Sequence, residues 1–288
     1  MFKYVRIVAL GLILTLLFAS TLQATPVSQA QSGEAVFILD LNTGKPLFAK
    51  NADATLAPAS TTKLMTALLI AKKSKLTDNV ILGKEVEGVE SATLGLLPGD
   101  SISVENLLYA LLLASSNEAA TGLAAYSSGS VQKFVAEMNT QAQEFGLKTT
   151  RFINPNGLPA AGHVTTAREM ATIAVAALAD PVIKDIVGSS AKEITWTRGN
   201  STKSVRLENT NRFLGVYPGV QGIKTGTTTE AGQCLVTSTD WDCGKVVVVI
   251  LNSQNRYADT KNYLDQIYSQ LQFNKAGKDL VGKLPIGF

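Results

Sequence analysis

The hexapeptide Pro58-Ala59-Ser60-Thr61-Thr62-Lys63, followed at once by the apolar run Leu64-Met65-Thr66-Ala67-Leu68-Leu69-Ile70-Ala71, constrains this chain more than any other stretch. A helix entered at Ser60 puts Ser60 and Lys63 one turn apart on the same face. Leu64, Ala67, Leu68 and Ala71 then fall at core spacing, and Met65 and Leu69 widen the apolar stripe until the helix must be largely buried. Two readings of Ser60 stand at this point. Serine is a good N-cap. Yet the third residue of the first turn is a lysine where a capping box places Glu or Gln, and the positive end of the helix dipole disfavours a cation by roughly 0.3 to 1 kcal/mol. A nucleophilic hydroxyl needs a neutral amine beside it, and burial together with the dipole pushes a lysine pKa down. Ser-x-x-Lys occurs about once by chance in a chain of this length, so the choice rests on what else the sequence holds.

Lys3 and Arg6 precede the apolar stretch Ile7 to Phe18, and small or polar residues run from Ala19 through Ala24 to Ala30. This is a signal peptide's layout, residues 1–24, with cleavage after Ala24 or as late as Ala30. The apolar stretch falls short of the ~20 residues a membrane span needs. No stable membrane anchor is therefore expected after cleavage, and the mature chain is expected to be exported to the periplasm or the outer face of the envelope, or secreted. With 45% apolar residues in 288, the remainder suffices for one large domain or two lobes sharing a core. A net charge of +3 without clustered basic runs argues against nucleic acid as a partner. Cys234 and Cys243 fall in one hairpin, Cys243 at its turn and Cys234 up a strand that rises ~3.3 Å per residue. A bridge needs Cα atoms within ~7 Å, so no disulfide is expected. One histidine and two cysteines leave too few ligands for a His/Cys zinc site.

Along the chain, Ala35 to Asp40 and Pro46 to Ala49 read as a hairpin about Asn42-Thr43-Gly44. Val80 to Asp100 gives no long periodic segment and is expected to be irregular, bordering a site. Ser103 is a reasonable cap for a buried helix through Leu107 to Ala114, which Ser115-Ser116-Asn117 separates from a second apolar helix, Ala119 to Tyr126. Val131 to Phe145 is amphipathic, Thr166 opens a helix over Arg168 to Leu178, and Pro181 starts another. Strands follow at about Glu193 to Thr197, Ser204 to Leu207, Gly222 to Thr228, Gln233 to Ser238 and Lys245 to Leu251, the last two joined across Asp240 to Gly244. A final helix spans about Tyr257 to Leu271. The expected fold is α+β: an antiparallel sheet flanked by terminal helices, with an inserted all-helical lobe and the Ser60 helix at the seam.

The strand Gly222-Ile223-Lys224-Thr225-Gly226-Thr227 alternates poorly. Lys224 and Thr225 are polar where a structural strand wants one apolar face, and Gly226 weakens a strand unless something approaches its backbone closely. A ligand chain pairing edge-on supplies that reason, while an edge strand with a gatekeeping lysine is the plain alternative.

Ser60-x-x-Lys63, Ser115-x-Asn117 and Lys224-Thr225-Gly226 stand in the order found in penicillin-recognising serine enzymes. From Ala35 to Leu271 the sequence resembles the low-molecular-mass penicillin-binding proteins that act as D-alanyl-D-alanine carboxypeptidases or endopeptidases, with a β-lactamase-like fold. The flanks share in it: Leu97-Pro98-Gly99-Asp100, Asn154-Pro155-Asn156-Gly157-Leu158, Gly162-His163, Thr166-Ala167-Arg168 and Ala231-Gly232. The resemblance implies a catalytic domain over residues 33–272, Ser60 as the acylated nucleophile and Lys63 as its general base. It implies that Ser115 relays a proton to the leaving amine and that Asn117 holds the substrate's amide backbone. It implies further that Lys224 keeps Lys63 neutral and steers the substrate carboxylate, that Thr225 hydrogen-bonds that carboxylate, and that Gly226 and Thr227 belong to the substrate-binding strand. The N–H groups of Ser60 and Thr227 form the oxyanion hole. Arg256 sits where such enzymes often carry an arginine facing the terminal carboxylate, the alternative being an exposed arginine at the start of the last helix. His163 reads as a structural hydrogen-bonder.

No cofactor and no metal are implied. The implied partners are peptidoglycan stem peptides ending in or cross-linked through D-Ala, with β-lactams as covalent inhibitors. The second motif departs from the family in carrying Ser116 where Gly or Asp is commoner. Residues 273–288 read as a tail, so the C-terminal β-rich domain and amphipathic anchor of longer members are expected to be absent, and a short form resembles the endopeptidase branch somewhat more. A serine β-lactamase is disfavoured because no Glu-x-Glu-Leu-Asn segment lies between Asn117 and Lys224. A catalytically silent wall-binding or β-lactam-sensing protein is the third reading, against which the intact motifs speak.

Overall fold

A computed structural model describes residues 32–90 and 94–281, with side chains to Ala276; the expected signal peptide and the end of the tail lie outside the described residues. In chain order the elements are β1 (Ala35–Asp40), β2 (Pro46–Lys50), a 3-10 turn (Ala59–Thr62), α1 (Lys63–Lys73), β3 (Asn79–Ile81), a second 3-10 turn (Lys84–Val86) and β4 (Ser101–Ser103). Then come α2 (Val104–Leu112), α3 (Asn117–Ser128), α4 (Val131–Glu144), α5 (Ala167–Ala179), α6 (Pro181–Gly188), β5 (Ala191–Arg198), β6 (Ser201–Glu208), β7 (Val220–Thr228), β8 (Gly232–Trp241), β9 (Gly244–Ser253) and α7 (Arg256–Val281).

The larger sheet is antiparallel with strand order β2-β1-β9-β8-β7. Its central strand β9 is apolar on both faces, which in a period-2 element means that both faces are covered. Val247, Val249 and Leu251 join Ala35 and Phe37 in the core shared with the helices, and α5 packs on β1 and β9. Val246, Val248 and Ile250 face the other way, where α7 covers β8 and β9 with buried Tyr263, Leu264 and Ile267. The α+β class and the hairpin of β1 and β2 follow the sequence reading.

The inserted lobe differs from an all-helical one. Its helices are joined by a four-stranded sheet of order β3-β4-β5-β6, in which β3 and β4, three residues each, sit at the two ends of the stretch Val80 to Asp100, where the sequence pattern shows no strand. Strands this short carry no readable alternation, and they are held by neighbours rather than by their own pattern. Longer than expected, α7 runs on to Val281 instead of stopping near Leu271.

Helix starts follow the expected caps closely. Ser103 Oγ accepts from Asn106 N at 3.2 Å, and Thr166 Oγ1 accepts from Glu169 N at 3.1 Å. Asp180 Oδ1 caps α6 by accepting from Val182 N and Ile183 N, with Pro181 at the first helical position. Ser60 is the exception. It lies inside the 3-10 turn before α1, and α1 begins at Lys63 with no side-chain cap, so the capping reading of Ser60 is overturned. Cys234 and Cys243 are free thiols.

Candidate active site

The turn Ala59–Thr62 is pressed between two backbones. Gly157 adopts φ +85°, and a Cβ there would collide with the carbonyl of Ala59. On the other side a Cβ on Gly226 would fall 2.9 Å from Ser60 N. Only glycine permits both approaches, which answers why β7 carries Gly226. With β7 at the edge of its sheet and the turn packed beside it, an open cleft of about 720 Å³ lies between them. Ser60, Ser115, Asn117, Thr225, Gly226, Thr227 and Arg256 all line it. The two lysines stand behind this wall, both buried.

Lys63 Nζ lies 2.8 Å from Ser60 Oγ, 2.8 Å from Asn117 Oδ1 and 2.6 Å from the Asn156 carbonyl. Its side chain is wholly buried, and that desolvation, reinforced by the nearby Lys224 charge and partly opposed by Glu118, holds its pKa well below the usual lysine range. The Asn117 amide is oriented from its other end, where Nδ2 donates to the Glu90 carbonyl at 2.9 Å. Ser116 caps α3, accepting from Ala119 N at 3.1 Å and donating to Glu118 at 2.8 Å, so the unusual middle residue of the motif fixes the helix start. Ser115 before it sits at φ +61°, a conformation costly for a non-glycine residue and one that turns it into the cleft.

On β7, Lys224 is buried rather than a solvated gatekeeper. Burial, and next the Arg256 charge, bring its pKa down to about 7, and Nζ donates to the Thr225 carbonyl at 3.0 Å. Thr225 Oγ1 donates to Thr210 Oγ1 at 2.7 Å. Arg256 is neither an exposed arginine nor an open fork. Nη1 donates to the carbonyls of Gly226 (2.7 Å) and Cys234 (2.8 Å), Nε to Gln233 Oε1 (3.2 Å) and Nη2 to Thr227 Oγ1. Four of the five guanidinium hydrogens are thereby committed to β7 and β8.

His163 backs the nucleophile's turn from the far side. Its Nδ1 accepts from Ile153 N at 3.1 Å, which leaves the proton on Nε2, 2.8 Å from Thr62 Oγ1. Burial lowers its pKa to about 4, so it is a neutral structural group. The residues sequence reasoning missed are Glu90, Asn156 and Thr210. Glu90 and Asn156 act through main-chain carbonyls, which no side-chain pattern reveals, and Thr210 carries only a hydroxyl in an irregular stretch.

A serine touched by a buried lysine, faced across a cleft by an edge strand bearing Lys-Thr-Gly, on an α+β sandwich: this is the arrangement of the penicillin-recognising serine enzymes. Within that class the chain belongs to the D-alanyl-D-alanine carboxypeptidase family, whose profile matches residues 20–255. It is 36% identical over 251 residues to D-alanyl-D-alanine carboxypeptidase DacF of Bacillus subtilis, covering 84% of this chain and 64% of the relative. It is 33% identical over 235 residues to a D-alanyl-D-alanine endopeptidase of Pseudomonas aeruginosa, covering 81% and 75%. The chain thus spans a little under two thirds of DacF. The fold is shared with the crystal structure of a Streptomyces DD-transpeptidase (TM-score 0.78, 28% identity, 83% and 96% covered). It is shared too with a D-alanyl-D-alanine carboxypeptidase of Mycobacterium tuberculosis (TM-score 0.79, 26% identity, 86% and 95% covered).

Proposed function

We propose that this chain is a serine-type D-Ala-D-Ala peptidase that trims or cleaves peptidoglycan stem peptides through a Ser60 acyl-enzyme and binds β-lactams covalently at the same serine. The observation that carries this reading is the environment of Lys63 Nζ. A neutral amine has two hydrogens and one lone pair. Asn117 Oδ1 and the Asn156 carbonyl can only accept, so they take the hydrogens and leave the lone pair for the Ser60 hydroxyl proton.

In the proposed reaction Ser60 Oγ attacks the carbonyl of a D-Ala peptide bond as its proton passes to Lys63. Charge developing on the carbonyl oxygen is met by the N–H groups of Ser60 and Thr227. Ser115 hands its proton to the departing amine as it takes the one held by Lys63, and water, giving a proton to the Lys63 thus freed, then hydrolyses the ester as that proton returns to Ser60. Asn117 keeps one Nδ2 hydrogen for the substrate's amide backbone beyond its bond to Glu90. Lys224 favours the neutral form of Lys63 by charge, and Thr225 offers a hydroxyl to the substrate. Arg256 holds β7 in place. We assign the catalytic domain to residues 33–272 and the protein's work to the exported side of the membrane, a reading that the family's wall-peptide substrate supports.

Purified protein supplied with a pentapeptide muropeptide and with a cross-linked dimer, followed by mass, is expected to release free D-Ala from the first, to split the second, or both. Release of neither would sink the hydrolase reading. Labelled penicillin should attach to the wild type and not to Ser60→Ala.

A further inference from the structure

The proposed reaction sets the direction in which a peptide lies on β7. Its scissile carbonyl is met by the N–H groups of Ser60 and Thr227 and its leaving group lies toward Thr225, so the acyl part runs past Thr227 to Thr228 and Thr229, antiparallel to the strand. β7 is the edge of its sheet and can accept such a partner. At ~3.4 Å per residue, the residue before the scissile D-Ala stands opposite Thr228. Thr228 and Thr229 line that end of the cleft, with Leu158 and Pro159.

Beyond the cleft lies a shallow furrow of about 10 Å³, bounded by Pro58, Leu158, Pro159, Ala160, Thr228 and Glu230. A side chain lies along such a furrow rather than inside it. Its walls are apolar or neutral, His163 being held uncharged, so among the described residues Glu230 is the one charged group around it. Glu230 is exposed in the turn that joins β7 to β8, a turn fixed by the bond from Ala231 N to Thr228 Oγ1 at 3.0 Å. Among the described residues its carboxylate makes no hydrogen bond or ion pair, in contrast to Asp53, Asp100 and Glu137, each of which is paired with a cation.

We propose that Glu230 is a specificity-determining residue that receives a cationic side chain on the substrate residue preceding the scissile D-Ala. This rests on the cleft being the peptidase site. A stem peptide cross-linked through D-Ala is joined to an amine on a neighbouring stem, so a stem whose own amine is not yet used carries it free and charged. Residues on facing strands interact directly and also along the diagonal, at about 7–8 Å, a span that long side chains bridge. An aliphatic side chain opposite Thr228 lies on Leu158 and Pro159 and brings its ammonium to Glu230, two residues on. Because the carboxylate is exposed, the pairing selects among peptides and adds little to affinity.

The test uses two peptides, Nα-acetyl-L-Lys-D-Ala-D-Ala with its ε-amine free and the same peptide with that amine acetylated. It measures the concentration of each that halves the rate at which labelled penicillin acylates Ser60. In the wild type at low salt the free-amine peptide should protect at a concentration lower by about three- to fivefold, the worth of an exposed ion pair. In Glu230→Gln the two peptides should protect equally, and in Glu230→Lys the acetylated one should protect better. Equal protection in the wild type overturns the proposal, as does a preference that survives in Glu230→Gln or protection by neither peptide. Absence of any label on wild-type Ser60 without peptide would instead overturn the peptidase reading itself.

Discussion

Gly226 lies so close to Ser60 that a single added methyl group would stand 2.9 Å from the serine's backbone nitrogen and 3.0 Å from Ala59 Cβ. Both neighbours are main chain or stiff, so alanine at 226 must push β7 and the nucleophile's turn apart by a few tenths of an ångström. One N–H of the proposed oxyanion hole is on that turn and the other on the next residue of β7. Gly226→Ala is therefore expected to lower penicillin acylation by about 10²-fold, the scale of losing one oxyanion donor, while circular dichroism stays native. Acylation within a few-fold of wild type would show that the two N–H groups do not act together.

Lys63→Met keeps the length of the side chain and removes the amine. Acylation should fall by about 10²- to 10⁴-fold, the usual worth of general-base help. The Asn117 and Asn156 oxygens lose a donor in the buried wall, at about 1–3 kcal/mol, partly offset because no amine need then be desolvated. Chemical denaturation and acylation kinetics on the same preparation separate the two effects. Near-normal acylation would remove Lys63 from the base's role.

Burial lowers the pKa of both lysines, but that of Lys224 falls only to about 7, so near neutral pH Lys224 still carries a share of the positive charge that Lys63 feels. In wild type, acylation should rise with pH as Lys63 loses its proton. Lys224→Met takes away a positive neighbour whose charge lowers the Lys63 pKa, so this acid limb should move to higher pH. A limb that stays in place would mean that Lys224 does not tune the base.

His163, the sole histidine, is held neutral in the fold with a pKa of about 4, against about 6.5 in an unfolded chain. Between those values the unfolded state binds a proton that the folded state refuses. Its contribution is therefore fully present above about pH 6.5 and is lost as pH falls toward 4, at about 1.4 kcal/mol per pH unit and about 3 kcal/mol across the window. Comparing denaturation midpoints of wild type and His163→Gln from pH 7 to pH 5 reads this directly. The wild type should lose more stability than the variant on acidification, and parallel curves would contradict the neutral assignment. Acylation at pH 7 should stay within tenfold of wild type, as befits a residue whose ring hydrogen-bonds Thr62 and the Ile153 N–H behind the nucleophile's turn.

Much of this molecule was legible in its residues because the informative positions are side chains at element starts. Ser103 and Thr166 cap where their hydroxyls predict, Pro181 opens its helix as read, and three polar clusters at a helix start, a helix break and a late strand do meet in one cleft. Other parts were not legible, for identifiable reasons. A 3-10 turn and the first turn of an α-helix both bring residues three apart toward one face, so spacing alone left a capping reading of Ser60 open although it sits inside the turn. β3 and β4 are too short to show a period. The state of Arg256 depended on acceptors in Gly226 and Cys234, carbonyls that every residue possesses and that only the register of β7 with β8 brings to it.

The two bare-backbone contacts on the turn Ala59–Thr62, from Gly157 on one side and Gly226 on the other, leave the serine nowhere to retreat. No long side chain stands between these segments to act as a spring, so loop, turn and strand translate together or not at all. Any accommodation demanded by an acyl group must then be made by the guest. An acyl group on Ser60 would have to fit this frame through its own flexibility.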